Sequence, residues 1–208
     1  MSLVVLLSFL SIASVAINVE SKCDSGTDLT QYVSRILNEV NAKGSETLRL
    51  PRRLLGDIYL KRGFINNIGN LKLGQNPVFL VCHNETLGAV QAKFVAENVT
   101  FNYEWVFGDE ECWGSATIPP QTIYIDFDIQ QNDDSETPKL LGLYVSDFTN
   151  TKFDVRIEGG SSPKSEELLK HQVLLTTKTA LLRDAELTMT MHFAPKVEKY
   201  LFLNNISN

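Results

Sequence analysis

Little in this chain of 208 residues offers itself for catalysis. Its three histidines, His83, His171 and His192, stand at no metal-ligand spacing from one another or from the cysteines, which argues against a zinc site. A nucleophile elbow, a phosphate-gripping glycine loop and a dinucleotide fingerprint are all missing. The chain therefore reads as a non-enzyme with no cofactor and no metal. Positive charge is scarce as well: 19 Lys and Arg against 25 Asp and Glu leave a net charge of −6. No basic cluster is dense enough to displace counterions from a phosphate backbone, so nucleic acid is excluded as a partner. Arg52-Arg53 and Lys61-Arg62 are short pairs that read as a solvated loop or the outer side of a strand.

Long apolar runs are confined to the amino end. Leu3 to Leu10, then Ile12, Ala13, Val15 and Ala16, form an uncharged stretch that closes on small residues. It is shorter than the roughly 20 residues of a spanning helix, so it reads as a signal peptide over 1–16 rather than a stable membrane insertion. Residues 17–208 then form one secreted domain. Cysteine is sparse, and three in a secreted chain leave one odd. Cys82 and Cys112 both end strand-like stretches, and a bridge between them is expected. Cys23 is left as a free thiol, an interchain link, or a replacement for one of the other two. Asn84-Glu85-Thr86, Asn98-Val99-Thr100 and Asn205-Ile206-Ser207 match the glycosylation acceptor pattern, which gains meaning in a secreted chain.

What the chain does have is alternation. Phe101, Tyr103, Trp105 and Phe107, and then Ile123, Ile125, Phe127 and Ile129, place an apolar residue at every second position. Successive strand side chains point to opposite faces, so these line one face while Glu104, Asp126 and Asp128 look out. Val90 to Ala96, Leu141 to Val145 and Phe153 to Ile157 repeat the pattern, with Asn98 turning the chain into the aromatic strand and Pro119-Pro120 punctuating it. The sum is an antiparallel meander of about seven strands with one greasy face.

Two helices can cover that face. Leu29, Tyr32, Val33, Ile36, Leu37 and Val40 fall at spacings of three and four after the cap candidates Thr27 and Asp28, with Gly44 as a stop. Near the carboxyl end, Leu181, Leu182, Ala185, Met189, Phe193, Val197, Tyr200 and Leu201 form a second stripe. Ala185, Leu187, Met189, Met191 and Phe193 also alternate as a strand would. The length of the stripe favours a helix, bent at Pro195 and buried more completely than the first.

Asp126 and Asp128 share a strand face and invite an acid and base reading, but nothing there lowers the dielectric to separate their pKa values. Asp133, Asp134 and Glu136 lack the spacing and glycine of a calcium loop and read as a solubilising turn. The apolar interior is the better candidate, because a long sheet curling around a helix can leave a hydrophobic cavity. The residues assigned to its lining are Val33, Ile36, Leu37 and Val40 from the first helix; Phe94, Phe101, Tyr103, Trp105, Phe107, Ile125 and Phe127 from the sheet; and Leu182, Met189 and Phe193 from the last helix. The partner is then a lipid or another hydrophobic small molecule. Two other readings compete. One is a secreted glycoprotein with a filled core that meets another protein, in the manner of an allergen or immune modulator. The other is a lipocalin-type barrel, for which the Gly-X-Trp start is missing.

Two patches carry a family likeness. Gly63-Phe64-Ile65-Asn66-Asn67-Ile68-Gly69-Asn70-Leu71 is similar to an early strand of the mite group 7 allergens. Asp184-Ala185-Glu186-Leu187 with Phe193-Ala194-Pro195-Lys196 resembles their closing helix. These allergens belong with the tubular lipid-binding proteins, which include bactericidal permeability-increasing protein and insect juvenile hormone-binding proteins. The resemblance implies an α+β superroll, a long curved antiparallel sheet wrapped around a C-terminal helix with an N-terminal amphipathic helix. It also implies an apolar pocket for lipid-like molecules and no catalysis.

Overall fold

A computed structural model describes residues 23–42, 47–74, 77–84, 86–108, 112–132, 136–145, 152–160 and 165–202. The segment assigned as a signal peptide, the Asp133-Asp134 turn, Gly44 and Asn205 lie outside the described residues. The elements in chain order are α1 (Thr30–Asn41), β1 (Leu48–Leu50), β2 (Arg53–Leu55), β3 (Ile58–Asn66), β4 (Leu71–Leu73), β5 (Leu80–Cys82), β6 (Gly88–Phe107), β7 (Cys112–Gln131), β8 (Lys139–Val145), β9 (Asp154–Gly160) and α2 (Glu166–Val197).

The scaffold is the β6–β7 ribbon, two 20-residue strands paired antiparallel from Gly88↔Gln131 to Phe107↔Cys112. Neither the expected turn at Asn98 nor the break at Pro119-Pro120 occurs. Instead the ladder slips between Ala96 and Phe101, and the prolines fall in the unpaired stretch opposite. Asn98 takes a left-handed φ of 58°, a conformation its short polar side chain tolerates. A bulge lets a strand bend without ending, so two predicted short strands become one curved one.

Flanking strands attach in pieces. β3 pairs with Thr100–Phe107, β4 with Phe94–Ala96 and β5 with Val90 to Gly88 along one edge of β6. Along the far edge of β7, β9 takes Cys112–Thr117 and β8 takes Ile125–Gln130. The nine-stranded antiparallel sheet is thus richer than a seven-strand meander. Helix α2 touches β1 and β3 on one side and β8 and β9 on the other, as only a sheet curled around that helix permits. The architecture is α+β, a strongly curled antiparallel sheet with a C-terminal helix inside the curl.

Helix α1 forms as its spacing predicts, burying Tyr32, Val33, Ile36, Leu37 and Val40 on one stripe. Asp28 accepts from the Thr30 backbone N–H at 2.8 Å, a local tie at the helix start. Helix α2 behaves differently. Leu169, Val173, Thr177, Leu181, Ala185, Met189, Phe193 and Val197 are buried at a strict interval of four. Four residues advance an α-helix by one turn plus about 40°, so over seven steps the buried line winds roughly 280° around the axis. The sheet follows it around. One correction results: Leu187 and Met191, the other members of the alternating run, are 45 % and 66 % exposed, so α2 is not sunk on both sides. Ser165 caps its start, and the helix continues through Pro195 but ends at Val197, so Tyr200 and Leu201, expected on its stripe, lie beyond it.

The disulfide also differs from expectation. Cys82 bonds Cys23, with Cα atoms 5.8 Å apart, and Cys112 is a buried free thiol. Cys82 sits opposite Gly88 at one end of the ribbon and Cys112 opposite Phe107 at the other. Nineteen residue steps of β-strand separate those ends, a contour of roughly 60 Å, whereas a disulfide tolerates less than about 7 Å between Cα atoms. Burial pushes the Cys112 thiol up, away from its reactive form.

Candidate functional site

The concave face is built by the alternation of β6 and β7. From β6 it receives Val90, Ala92, Phe94, Ala96, Phe101, Tyr103, Trp105 and Phe107; from β7, Ala116, Ile118, Ile123, Ile125, Phe127 and Ile129, all buried. Every residue assigned to the lining joins this one core, Leu182 partly buried at its edge and the others fully inside. The structure thus brings the predicted residues together. At one end Phe94, Phe127 and Phe193 meet edge to face, with centroids 4.5 Å and 4.9 Å apart along the series. At the α1 side, Tyr32 meets Phe202 at 5.2 Å, and the Phe202 backbone N–H donates to the buried Gln131 side chain at 2.9 Å.

Among the described residues, a charged side chain is fully buried in this interior at Asp184. Asp184 on α2, fully buried, accepts from Arg53 Nη2 at 2.6 Å and Nε at 2.9 Å and from the Tyr103 hydroxyl at 2.9 Å. The carboxylate raises the Arg53 pKa further, while burial first and Asp184 second push the Tyr103 phenol up. This network ties α2 to the β2–β3 hairpin and to the middle of β6. Sequence reading passed over it, although a signal was present: Asp184 sits beside Ala185 on an otherwise apolar stripe, where a charge demands a buried partner. A second tie runs to the edge of β8, where the Val145 backbone N–H donates to Glu186 at 3.2 Å.

Among the described residues, Tyr32 Oη, Trp105 Nε1 and Thr177 Oγ1 are buried polar atoms with no hydrogen-bond partner. Burial pushes the Tyr32 phenol up, so its hydroxyl stays protonated and able to donate. Each such orphan costs about 1–3 kcal/mol until something satisfies it.

The outward carboxylates stay outside. Asp126 pairs with Lys93 at 3.5 Å on the solvent face. Open clefts of 230–440 Å³ also lie along the sheet among the described residues. One of about 440 Å³ is bordered by Arg49, Arg52, Lys61, Arg62 and Phe64. Among the described residues no three His, Cys, Asp or Glu side chains gather as metal ligands, and no helix is long and apolar enough to cross a membrane. Asn84 and Asn98 are both exposed. No family model matches the chain, and no curated protein matches it.

Proposed function

We propose that the protein is a secreted carrier of the tubular lipid-binding type, which holds a lipid or similar hydrophobic molecule between the curled sheet and its helices. The observation that carries this reading is a continuous apolar interior between sheet and helices in which Tyr32 of α1, Trp105 of β6 and Thr177 of α2 hold unpartnered polar atoms. An amphiphile fits such a lining: its chain replaces apolar contacts, and its polar group meets an orphan. The driving force is apolar area removed from water, about 25 cal/mol per Å². The Cys23–Cys82 bridge accords with an oxidising compartment.

Native mass spectrometry of protein from a eukaryotic secretory host is expected to show co-purifying lipid. The delipidated protein is expected to bind a fluorescent fatty-acid probe, more weakly after Phe94→Ala or Trp105→Ala and unchanged after Asp126→Asn. Protein free of lipid and indifferent to the probe would sink the reading. It would favour a glycosylated, filled-core protein acting through contact with another protein, for which the exposed Tyr124, Leu141 and Tyr144 supply an outer patch.

A further inference from the structure

The outer cleft bordered by Arg49 and Arg52 gathers cations that the sequence scatters. Arg49 stands opposite Phe64 in the β1–β3 ladder, and Leu50 opposite Gly63, so the chain after β1 brings Arg52 alongside Lys61 and Arg62. A bulge between Leu60 and Arg62 does the rest. Leu60 faces the core, fully buried, and strict alternation would return residue 62 to the core as well. The bulge leaves Lys61 and Arg62 side by side on the cleft, and Arg62 is 68 % exposed by side chain.

Four cations therefore border one cleft of about 440 Å³ in a chain of net charge −6. Counter-charge is uneven. Glu104 reaches Arg62 at 3.7 Å and Lys61 has a partner of its own, while Arg49 and Arg52 form no ion pair among the described residues. Arg49 and Arg52, held together without neutralisation, repel, and an anion removes that cost. Two guanidinium forks suit an oxyanion that accepts several parallel hydrogen bonds, and the half-buried Phe64 ring offers apolar surface beside it. The volume exceeds what a bare ion fills and falls in the range of small-molecule sites, about 300–1,000 Å³.

We propose that this cleft is an anion site for a phosphate-bearing group, on the opposite side of the sheet from the apolar interior. It stands independently of the carrier reading. The phosphate belongs either to a small soluble ester or to a lipid headgroup, and the exposed Leu54 on neighbouring β2 is placed to touch a lipid surface. Two assays separate the sources: equilibrium dialysis with labelled inorganic phosphate, and flotation with phosphatidylcholine vesicles containing phosphatidic acid. Each uses the full chain, Arg49→Gln/Arg52→Gln, both single variants, and Lys93→Gln as a control on the same face of the sheet.

Loss of one arginine fork is expected to weaken binding roughly tenfold, the equivalent of one charge-assisted hydrogen bond. The double variant should weaken it more, and the control should not. Loss in the dialysis assay identifies a soluble phosphate, and loss confined to flotation identifies a headgroup. Absence of binding in both assays, or binding undiminished in the double variant, overturns the proposal. Fatty-acid probe uptake by the double variant should equal that of the parent, which keeps this test separate from that of the carrier.

Discussion

Replacing Arg53 by methionine is expected to cost the protein more than removing its charged partner as well. Asp184 has no exposure, so Arg53→Met leaves a carboxylate in the interior with only the Tyr103 hydroxyl to satisfy it. Breaking a buried pair by removing one partner costs about 3–5 kcal/mol. Here the arginine side chain is 34 % exposed, so solvent screens part of the interaction, and about 2–3 kcal/mol is the reasoned value. For a chain of this size that lowers the unfolding midpoint by about 4–12 °C. Arg53→Met/Asp184→Leu removes both charges and leaves the Tyr103 hydroxyl only its long 3.4 Å bond to the Pro51 carbonyl, an expected cost of about 1–2 kcal/mol. Adding Tyr103→Phe removes that weakly satisfied hydroxyl too and should recover most of the loss. Equilibrium urea unfolding, followed by the fluorescence of Trp105 and Trp113, measures all three. If the double variant is less stable than Arg53→Met, the stranded-charge argument is refuted.

Two other outcomes follow from the ends of the chain. The Cys23–Cys82 bridge closes a loop of 59 residues, so Cys23→Ser should cost up to about 4 kcal/mol; peptide mapping should recover this pair and show Cys112 alkylated only after denaturation. Glu39 accepts from Lys199 and Tyr200, which hold its carboxyl below the ordinary value of 4.5. Because the native pKa is the lower one, this contact stabilises the fold above about pH 4.5 and is lost as pH falls through the native value. Glu39→Gln should therefore lower the thermal midpoint at neutral pH, with the gap closing in acid; an equal gap at about pH 3 and pH 7 would show that the charge is not responsible.

The elements that sequence made legible are those with a simple period. The two-residue repeat located β6 and β7, and the three-four spacing located α1, because burial on one face is a local demand on side chains. The winding of α2 was harder to see. A four-residue interval drifts around the helix, so Leu187 and Met191 look like part of a buried face until the curl of the sheet is known. Bulges were invisible. The slip near Asn98 reads as a turn, and the continuous strand found there holds Cys82 and Cys112, each the end of a strand-like stretch, at opposite ends of the ribbon. The slip at Lys61 has the same character: two basic pairs look trivial until the β1–β3 register sets Arg49 and Arg52 beside them. The lining residues were legible individually; their orphaned polar atoms depend on how three elements converge.

The drifting line of contact on α2 has a mechanical consequence. A straight stripe would let the helix slide along the sheet or lift away as a rod, but a line that turns through roughly 280° engages the sheet as a thread engages a nut. Translation along the axis then requires rotation, and rotation is blocked at mid-helix by the Asp184 pin to Arg53. Withdrawal must therefore begin with fraying at an end. Hydrogen exchange along α2 should rank accordingly, fastest in the turns near Glu166 and Val197 and slowest around Asp184.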